Sequence, residues 1–226
     1  MCTLLFRHDP TDEWPLALLA NRDELYGRPA ETWRWRDGNS WFGPLDLEAG
    51  GTWIGLNRHG LVAAITNIYP ARKTAGLRSR GQLVAAIMNL KASSEVQTYI
   101  EAVVKDHALG WVNLLIADSR SACFYSWNEL SLHRYELMSG VYQVMNEPFT
   151  GEQFADSGGP NSRWWQREAV ELQAHPDVCK HGRQAGTRCS HKLLLNGARA
   201  TDSIIWHCEG RPCESEYELM LGKGST

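Results

Sequence analysis

The sequence lacks any apolar run approaching 18 residues, so no segment of it predicts a membrane-spanning helix. It also lacks an excess of one charge: the net charge is −3, which excludes a general polyanion binder and makes a nucleic-acid partner unexpected. A glycine-rich phosphate loop and a secretory signal are missing as well. We therefore expect a cytoplasmic protein that needs no nucleotide and whose six cysteines are mostly reduced.

Length and composition describe an ordinary globular chain. With 226 residues, 43% of them hydrophobic, it can bury most of its unfolded surface, and we predict a single domain over residues 1–226. Ten tryptophans are the unusual feature. Because tryptophan favours sites with one apolar and one wet side, they predict core and rim packing first and an aromatic-lined ligand pocket second.

Hydrophobic periodicity predicts an α+β fold, with strands before and after a pair of helices. Residues 28–47 are rich in turn and aromatic residues and predict a loop. Helical patterns cover 79–91, the stretch from 94 to Gly110, and 162–175. The predicted strands are 2–7, 16–21, 52–56, 61–66, 111–117, 122–127, 131–138, 141–145, 192–195, 203–207 and 217–221.

Cys2 is the first candidate for chemistry, because the small residue after Met1 favours removal of the initiator. Removal would leave a free α-amine beside the Cys2 thiol, and an amine with a pKa near ~8 can act as a general base. One residue would then supply both nucleophile and base. The alternative is that a small second residue serves only efficient trimming, and for an isolated Met-Cys start this alternative is favoured.

The second candidate is the run Asn21-Arg22-Asp23-Glu24, which ends a strongly apolar strand. Polar residues at the end of a buried strand commonly build a site at a sheet edge. Arg22 is suited to orient a carboxylate or the Cys2 thiolate, and Asp23 to accept a hydrogen bond from the amine. A salt-bridged strand end with no further role explains the same spacing equally well.

A basic segment over residues 72–80 contains four cationic and no acidic side chains and leads into a predicted helix N-terminus. That combination suits an anion such as a carboxylate, a haem propionate or a coenzyme A phosphate. The alternative is a solvated loop, which we favour slightly. Its candidate ligand-binding residues are Arg72, Arg78 and Arg80.

Cysteine and histidine are concentrated in the C-terminal third. Cys179 and His181, and again Cys189 and His191, are separated by one residue, which is shorter than the usual spacing of zinc ligands. Reduced, unconnected thiols are therefore favoured over a structural zinc site, and no metal is predicted. These residues, like His8, His59 and Met145, are also possible axial haem ligands, and no sequence feature selects among them.

The sequence resembles the NRDE family, named for the tetrapeptide at 21–24, which includes the transport and Golgi organisation 2 proteins. The start Met1-Cys2-Thr3-Leu4 matches, and Gly186-Thr187-Arg188-Cys189-Ser190 stands where the family has Gly-Thr-Arg-Ser-Ser. The first 90 residues match well, and the rest matches loosely. The other matching segments are 20–29, 46–55, 64–67 and 79–81.

The resemblance implies a four-layer αββα sandwich of the N-terminal-nucleophile hydrolase type. In related cysteine amidohydrolases, the penicillin V acylases and bile-salt hydrolases, an N-terminal cysteine attacks an amide. The matching catalytic positions here are Cys2, Arg22, Asp23 and, as oxyanion-hole donors, Asn67 and Asn146. The ligand-binding candidates are Asn21, Glu24, Trp53, Arg188 and the three arginines of the basic segment.

The family also implies a function other than catalysis. It is associated with haem binding and haem trafficking, and with lipid and acyl-coenzyme A metabolism. We therefore expect a haem carrier with haem as bound ligand and with haem donor or acceptor proteins as partners. The alternative is a Cys2-dependent hydrolase of an amide or thioester, and a weaker alternative is an acyl-coenzyme A binder.

Overall fold

A computed structural model describes residues 2–69, 77–105, 109–128, 130–154, 175, 178–197 and 199–222. In these ranges the chain forms two α-helices, α1 (Arg80–Ile87) and α2 (Ser93–Lys105). The strands are β1 (Thr3–His8), β2 (Leu16–Leu25), β3 (Ala30–Arg36), β4 (Trp41–Asp46), β5 (Ile54–Asn57), β6 (Val62–Asn67), β7 (Val112–Ala117), β8 (Ala122–Trp127), β9 (Leu132–Glu136), β10 (Gly140–Val144), β11 (Ala185–Leu195), β12 (Ile204–Glu209) and β13 (Glu218–Leu221).

The strands form two antiparallel sheets. One has six strands in the order β10-β1-β2-β11-β12-β13, and the other has seven in the order β3-β4-β5-β6-β7-β8-β9. The six-stranded sheet therefore places β1 and β2, which carry the first sequence motifs, beside each other at its centre. The register pairs Thr3 with Asn21, so the residue before β1 lies opposite Arg22.

The main core lies between the two sheets. Alternate residues of β1 and β2, such as Leu4, Phe6 and Leu18, point into it, because successive side chains of a strand face opposite sides. The ring of Phe6 stacks at 6.3 Å on that of Phe124 from the facing sheet. This core fixes the relative position of the sheets and hence of the residues at their ends.

A second core covers the outer face of the seven-stranded sheet. Ala63 and Ile65 of β6 face it, and α1 and α2 pack there through buried residues such as Leu83 and Ile100. On the far side of the molecule, Leu5 and Leu19 form a separate buried cluster on the outer face of the six-stranded sheet. The predicted helix 162–175 lies outside the described residues apart from His175, which is in a bend. No described helix is long and apolar enough to cross a membrane.

The predicted loop at 28–47 is wrong, because β3 and β4 form a hairpin there. Its turn uses three consecutive residues with positive φ: Asp37 (49°), Gly38 (64°) and Asn39 (67°). Asp and Asn tolerate this conformation better than other non-glycine residues. The turn residues therefore form the short connection between two strands and do not indicate a long loop. Trp33, on β3, is buried in the inter-sheet core.

Two predicted strands are longer than the hydrophobic pattern indicated. β2 continues to Leu25 through the polar run 21–24, and β11 begins at Ala185. These extensions pair with each other, with Asp23 opposite Thr187 and a register shift before Cys189. Backbone pairing here extends the strands beyond their apolar residues. Helix α1, in contrast, ends at Ile87 and not at 91.

Candidate functional site

Cys2 lies directly before β1, at the centre of the six-stranded sheet. Its Sγ is 3.9 Å from the backbone carbonyl oxygen of Asp23 on β2. Burial, and next the negative charge of Asp23, raise the pKa of the Cys2 thiol. The thiol is therefore protonated near neutral pH and needs a base before it can act as a nucleophile.

Arg22 is buried at the sheet end, with 4% of its surface exposed. Its Nη2 donates to Oδ2 of Asp46 at 2.8 Å, and its guanidinium lies 4.3 Å from the ring centroid of Trp53. Among the described residues, Nη1 of Arg22 has no hydrogen-bond acceptor although it is buried. A buried donor without an acceptor is costly, which makes Nη1 a candidate contact for a bound ligand.

Asp46, at the end of β4, holds a second arginine. Nε of Arg28 donates to Asp46 Oδ2 at 2.7 Å, and the backbone N–H of Ala49 donates to Oδ1 at 2.9 Å. Burial alone would raise the pKa of Asp46, but the hydrogen bonds from Arg28 and Ala49 outweigh it and lower the pKa. Asp46 is therefore the carboxylate that compensates Arg22 and Arg28 together.

These residues border a cleft of about 130 Å³ between the ends of the two sheets. The predicted site residues Cys2, Arg22, Glu24, Trp53, Asn67 and Arg80 all line it. The structure thus brings together residues from both sheets and from the start of α1. Its remaining lining residues are Arg28, Asp46, Ala49, Gly51, Thr52, Ile65, Ser79 and Gly81.

Arg80 is the cation in the cleft that has no carboxylate partner within salt-bridge distance, as far as the described residues go. Its Nη1 donates to the carbonyl oxygen of Trp111 at 3.4 Å, a long hydrogen bond. Burial lowers the pKa of Arg80, as expected for a partly desolvated cation. It therefore offers a positive charge to an anionic ligand group.

Asp23 does not line the cleft but lies beside Cys2. Its Oδ1 accepts a 2.6 Å hydrogen bond from the hydroxyl of Thr187, and that hydroxyl accepts one from the backbone N–H of Lys180 at 2.8 Å. Burial is the main cause of the raised pKa of the Asp23 carboxyl. β11 therefore fixes the orientation of Asp23 toward the N-terminal end of β1.

The two asparagines predicted as oxyanion donors occupy different positions. Asn67, at the end of β6, lines the cleft. Asn146 does not line the cleft, and its side-chain amide donates to the backbone carbonyl oxygen of Asn67. Asn146 is placed to position Asn67, and its donor is directed at the backbone.

Three other predicted residues, Asn21, Arg78 and Arg188, do not line the cleft. Asn21 donates to the Val178 carbonyl oxygen at 3.2 Å, and Arg188 donates to the carbonyl oxygen of Tyr26 and lies 3.5 Å from Glu209. Arg78 is exposed, and Arg72 is outside the described residues. Sequence reasoning missed Arg28 and Asp46, although both lie in segments that carry the family resemblance.

The possible haem ligands are not gathered at the cleft. His8, His59 and Met145 do not line it, and Cys2 is the one thiol among its lining residues. Ligand-sized pockets usually measure roughly 300–1,000 Å³, so a cleft of about 130 Å³ is too small to enclose a haem. The cleft does contain one thiol, that of Cys2, and one guanidinium without a carboxylate partner among the described residues, that of Arg80.

Comparisons with known protein sequences agree with the motifs. The profile of the family described as Transport and Golgi organisation 2 matches residues 1–191. The Transport and Golgi organization protein 2 homologs of Bos taurus and Homo sapiens are each 33% identical to the chain over 160 residues, covering 65% of the chain. The match covers 57% of each of these relatives, so the chain spans less than two thirds of their length.

Two solved structures share the fold. The Caenorhabditis elegans ortholog of N-acylethanolamine-hydrolyzing acid amidase has a TM-score of 0.55 and 13% identity, covering 85% of this chain and 92% of that one. A variant of the conjugated bile acid hydrolase from Clostridium perfringens has a TM-score of 0.55 and 10% identity, covering 97% of both chains. At such low identity these likenesses show the fold alone, and they confirm the predicted αββα sandwich of the N-terminal-nucleophile hydrolase type.

Proposed function

Because the chain belongs to the Transport and Golgi organisation 2 family and folds as a sandwich of the N-terminal-nucleophile hydrolase type, we propose that Cys2 hydrolyses an amide or thioester. The observation that carries the proposal is the position of Cys2. It lies at the start of the central strand β1, in a cleft that also contains Arg22, Arg80 and the predicted oxyanion donor Asn67.

The proposed reaction begins after removal of Met1, when the α-amine of Cys2 takes the proton of its own thiol. A thiol is a poor nucleophile until it is deprotonated, so the reaction needs this base. The thiolate attacks the substrate carbonyl carbon, and the Asn67 amide stabilises the resulting oxyanion. The amine then returns the proton to the leaving group, and water releases the acyl group from Sγ.

The side chains around Cys2 define the class of substrate. Asp46 compensates Arg22 and Arg28, whereas Arg80 makes one long hydrogen bond to a backbone carbonyl. An anionic group near the scissile bond would pair with Arg80 and accept from Nη1 of Arg22. The small volume of the cleft suits a compact polar part of the substrate, such as a carboxylate-bearing amine or thiol.

The test is hydrolysis of a panel of N-acyl amino acids and acyl thioesters by chain whose loss of Met1 is verified by mass spectrometry. We expect Cys2→Ala to reduce turnover to background, and a chain that retains Met1 to behave the same. Asn67→Ala is expected to lower kcat by roughly 10²–10³, the usual effect of one oxyanion donor. Cys123→Ser, which changes a buried cysteine of β8, is the matched control and should retain activity. Near-normal turnover of Cys2→Ala would contradict the proposal.

Haem handling is the second candidate, favoured by the presence of the Cys2 thiol and the Arg80 guanidinium in one cleft. Haem would here be cargo bound at the mouth of the cleft, which is too small to enclose it, through a Cys2 thiolate and a propionate–Arg80 pair. An absorbance titration with ferric haem distinguishes the two functions. Saturation at one equivalent, lost in Cys2→Ala, would favour the carrier, and featureless binding together with hydrolysis would favour the enzyme.

A further inference from the structure

Three potential metal ligands meet far from Cys2 in the sequence, at one side of the six-stranded sheet. Sγ of Cys179 lies 3.3 Å from Sγ of Cys213 and 3.6 Å from Nε2 of His181. Nε2 of His181 lies 3.2 Å from Sγ of Cys213. All three atoms thus lie within 4.8 Å of one another, as ligands of a single ion must.

We propose that Cys179, His181 and Cys213 bind a zinc ion. Zinc–sulfur bonds of ~2.3 Å and zinc–nitrogen bonds of ~2.0 Å in a tetrahedron separate two sulfurs by roughly 3.8 Å and a sulfur from a nitrogen by roughly 3.5 Å. The three separations in the structure, 3.2 to 3.6 Å, need shifts of only a few tenths of an ångström to reach those values. Two thiolates and an imidazole favour zinc over calcium or magnesium, which prefer oxygen ligands.

The carboxylate of Glu214 lies beside the imidazole nitrogen of His181 that is not a proposed ligand. Nδ1 of His181 lies 3.5 Å from Oε1 of Glu214, and Glu214 is itself paired with Arg211 at 3.0 Å. A hydrogen bond from Nδ1–H to a carboxylate fixes the tautomer that leaves Nε2 as the ligand. Glu214 directly follows the ligand Cys213, so one loop supplies both the thiol and this partner.

The side of the cluster that carries Cys179 and His181 is held by hydrogen bonds between Lys180 and Thr187 before any metal binds. The Lys180 N–H donates to the Thr187 hydroxyl at 2.8 Å, and the Thr187 N–H donates to the Lys180 carbonyl at 2.9 Å. Thr187 also donates to Asp23, so the metal-binding segment connects to the residue beside Cys2. Zinc would link this segment to the loop between β12 and β13 and leave a fourth coordination position for water or another ligand.

The first experiment measures metal content. The full chain, expressed with added zinc and purified under reducing conditions, is expected to retain one zinc per chain by elemental analysis. Replacement with Co²⁺ should give the visible absorption of a tetrahedral site and a sulfur-to-cobalt charge-transfer band. X-ray absorption should count two sulfur ligands.

Variants identify the ligands. Cys213→Ser and His181→Ala alter exposed side chains, and we expect each to lower zinc affinity at least tenfold while the circular dichroism spectrum is retained. Glu214→Gln should weaken binding by roughly 10- to 100-fold, the range for a partner of a ligating histidine. Cys208→Ser is the control, because Cys208 Sγ is directed at the Ser215 carbonyl oxygen, 3.5 Å away.

Two results would overturn the proposal. The first is a folded, reduced chain that binds no zinc or cobalt, or that keeps its affinity in Cys213→Ser. The second is a Cys179–Cys213 disulfide, seen by mass spectrometry as the loss of two hydrogens, that re-forms after reduction even in the presence of zinc. The measurements do not depend on turnover, so they stand apart from the test of the hydrolase proposal.

Discussion

At the scale of single residues, Asp46 determines the charge balance of the cleft. It accepts from Arg22 and Arg28 within 2.8 Å, and it also accepts from the backbone N–H groups of Glu48 and Ala49. Arg22 is almost fully buried, and Asp46 is its one carboxylate partner within salt-bridge distance among the described residues. Asp46 therefore makes it possible for Arg22 to stay buried beside Cys2.

We expect Asp46→Asn to destabilise the protein by about 3–5 kcal/mol, the cost of removing one partner of a buried ion pair. Chemical denaturation monitored by tryptophan fluorescence measures the change. Glu136→Gln is the control: Glu136 pairs with Arg134 at 2.9 Å on the surface, and losing such a pair costs at most about 1 kcal/mol. Equal effects of the two substitutions would refute the role given to Asp46.

Single residues also show how much of the site could be predicted. Cys2, Arg22 and Asn67 belong to contiguous motifs, and the structure places them at one cleft. The pairing of Arg28 with Asp46 could not be predicted, because it joins the turn after β2 to the end of β4. Such a contact depends on how strands of two different sheets approach each other, which no local pattern specifies.

At the scale of elements, most strands were predictable from hydrophobic periodicity, whereas the β3–β4 hairpin was not. The strand 122–127 was predicted with its observed bounds, because Ser126 is the one polar residue in an otherwise apolar and aromatic run. In contrast, β4 contains Gly43 and Pro44, residues that normally indicate a turn. The hairpin forms because Trp33 and Phe42 pack against each other in the core, with ring centroids 5.5 Å apart.

Helix α1 makes a close contact with the segment before β5. The N–H of Thr52 donates to the carbonyl oxygen of Gly81 at 3.0 Å, and a Cβ on Gly51 would overlap the backbone of Gly81 and Gln82. Helix and segment therefore approach each other at two glycines. This approach places Trp53 and Arg80 on the same cleft.

We expect Gly51→Ala to lower the free energy of unfolding by about 1–3 kcal/mol, because the added methyl group must push α1 away from β5. Thermal denaturation compared with Gly27→Ala provides the measurement, since a Cβ at Gly27 meets no atom within 4 Å. The Gly27 variant should unfold like the parent protein. A Gly51 variant as stable as the Gly27 variant would show that α1 does not need this close approach.

At the scale of the whole molecule, a buried histidine joins the two sheets. The indole nitrogen of Trp33 lies 2.9 Å from Nδ1 of His191 on β11, and the indole nitrogen of Trp53 lies 3.0 Å from Nε2 of the same ring. A neutral imidazole accepts from one of these indole N–H groups, at the ring nitrogen that carries no proton, and protonation would remove that acceptor. Burial, followed by the nearby charges of His207 and Arg22, holds the pKa of His191 well below its usual value. Burial also lowers the pKa of His8 on β1.

These two histidines predict that the protein loses stability in mild acid. The pKa of each is lowered in the folded state, whereas in the unfolded chain both take up protons below about pH 6.5, so stability is complete above that pH and falls as the pH decreases. Each contributes a slope of at most about 1.4 kcal/mol per pH unit. Burial raises the pKa of Asp23, so protonation of Asp23 stabilises the folded state and opposes the effect of the histidines at lower pH. The informative window is therefore about pH 6.5 to 5.5.

Urea denaturation at closely spaced pH values tests this dependence. His8→Leu should reduce the slope, because it removes one of the two groups, and should not destabilise the protein at pH 8. Both ring nitrogens of His8 are buried without hydrogen-bond partners among the described residues, so the substitution breaks no bond of its side chain. His133→Gln, at an exposed position of β9, should keep the parent slope. If His8→Leu leaves the slope unchanged, acid sensitivity arises elsewhere, and His191→Phe then tests whether the inter-sheet histidine alone accounts for it.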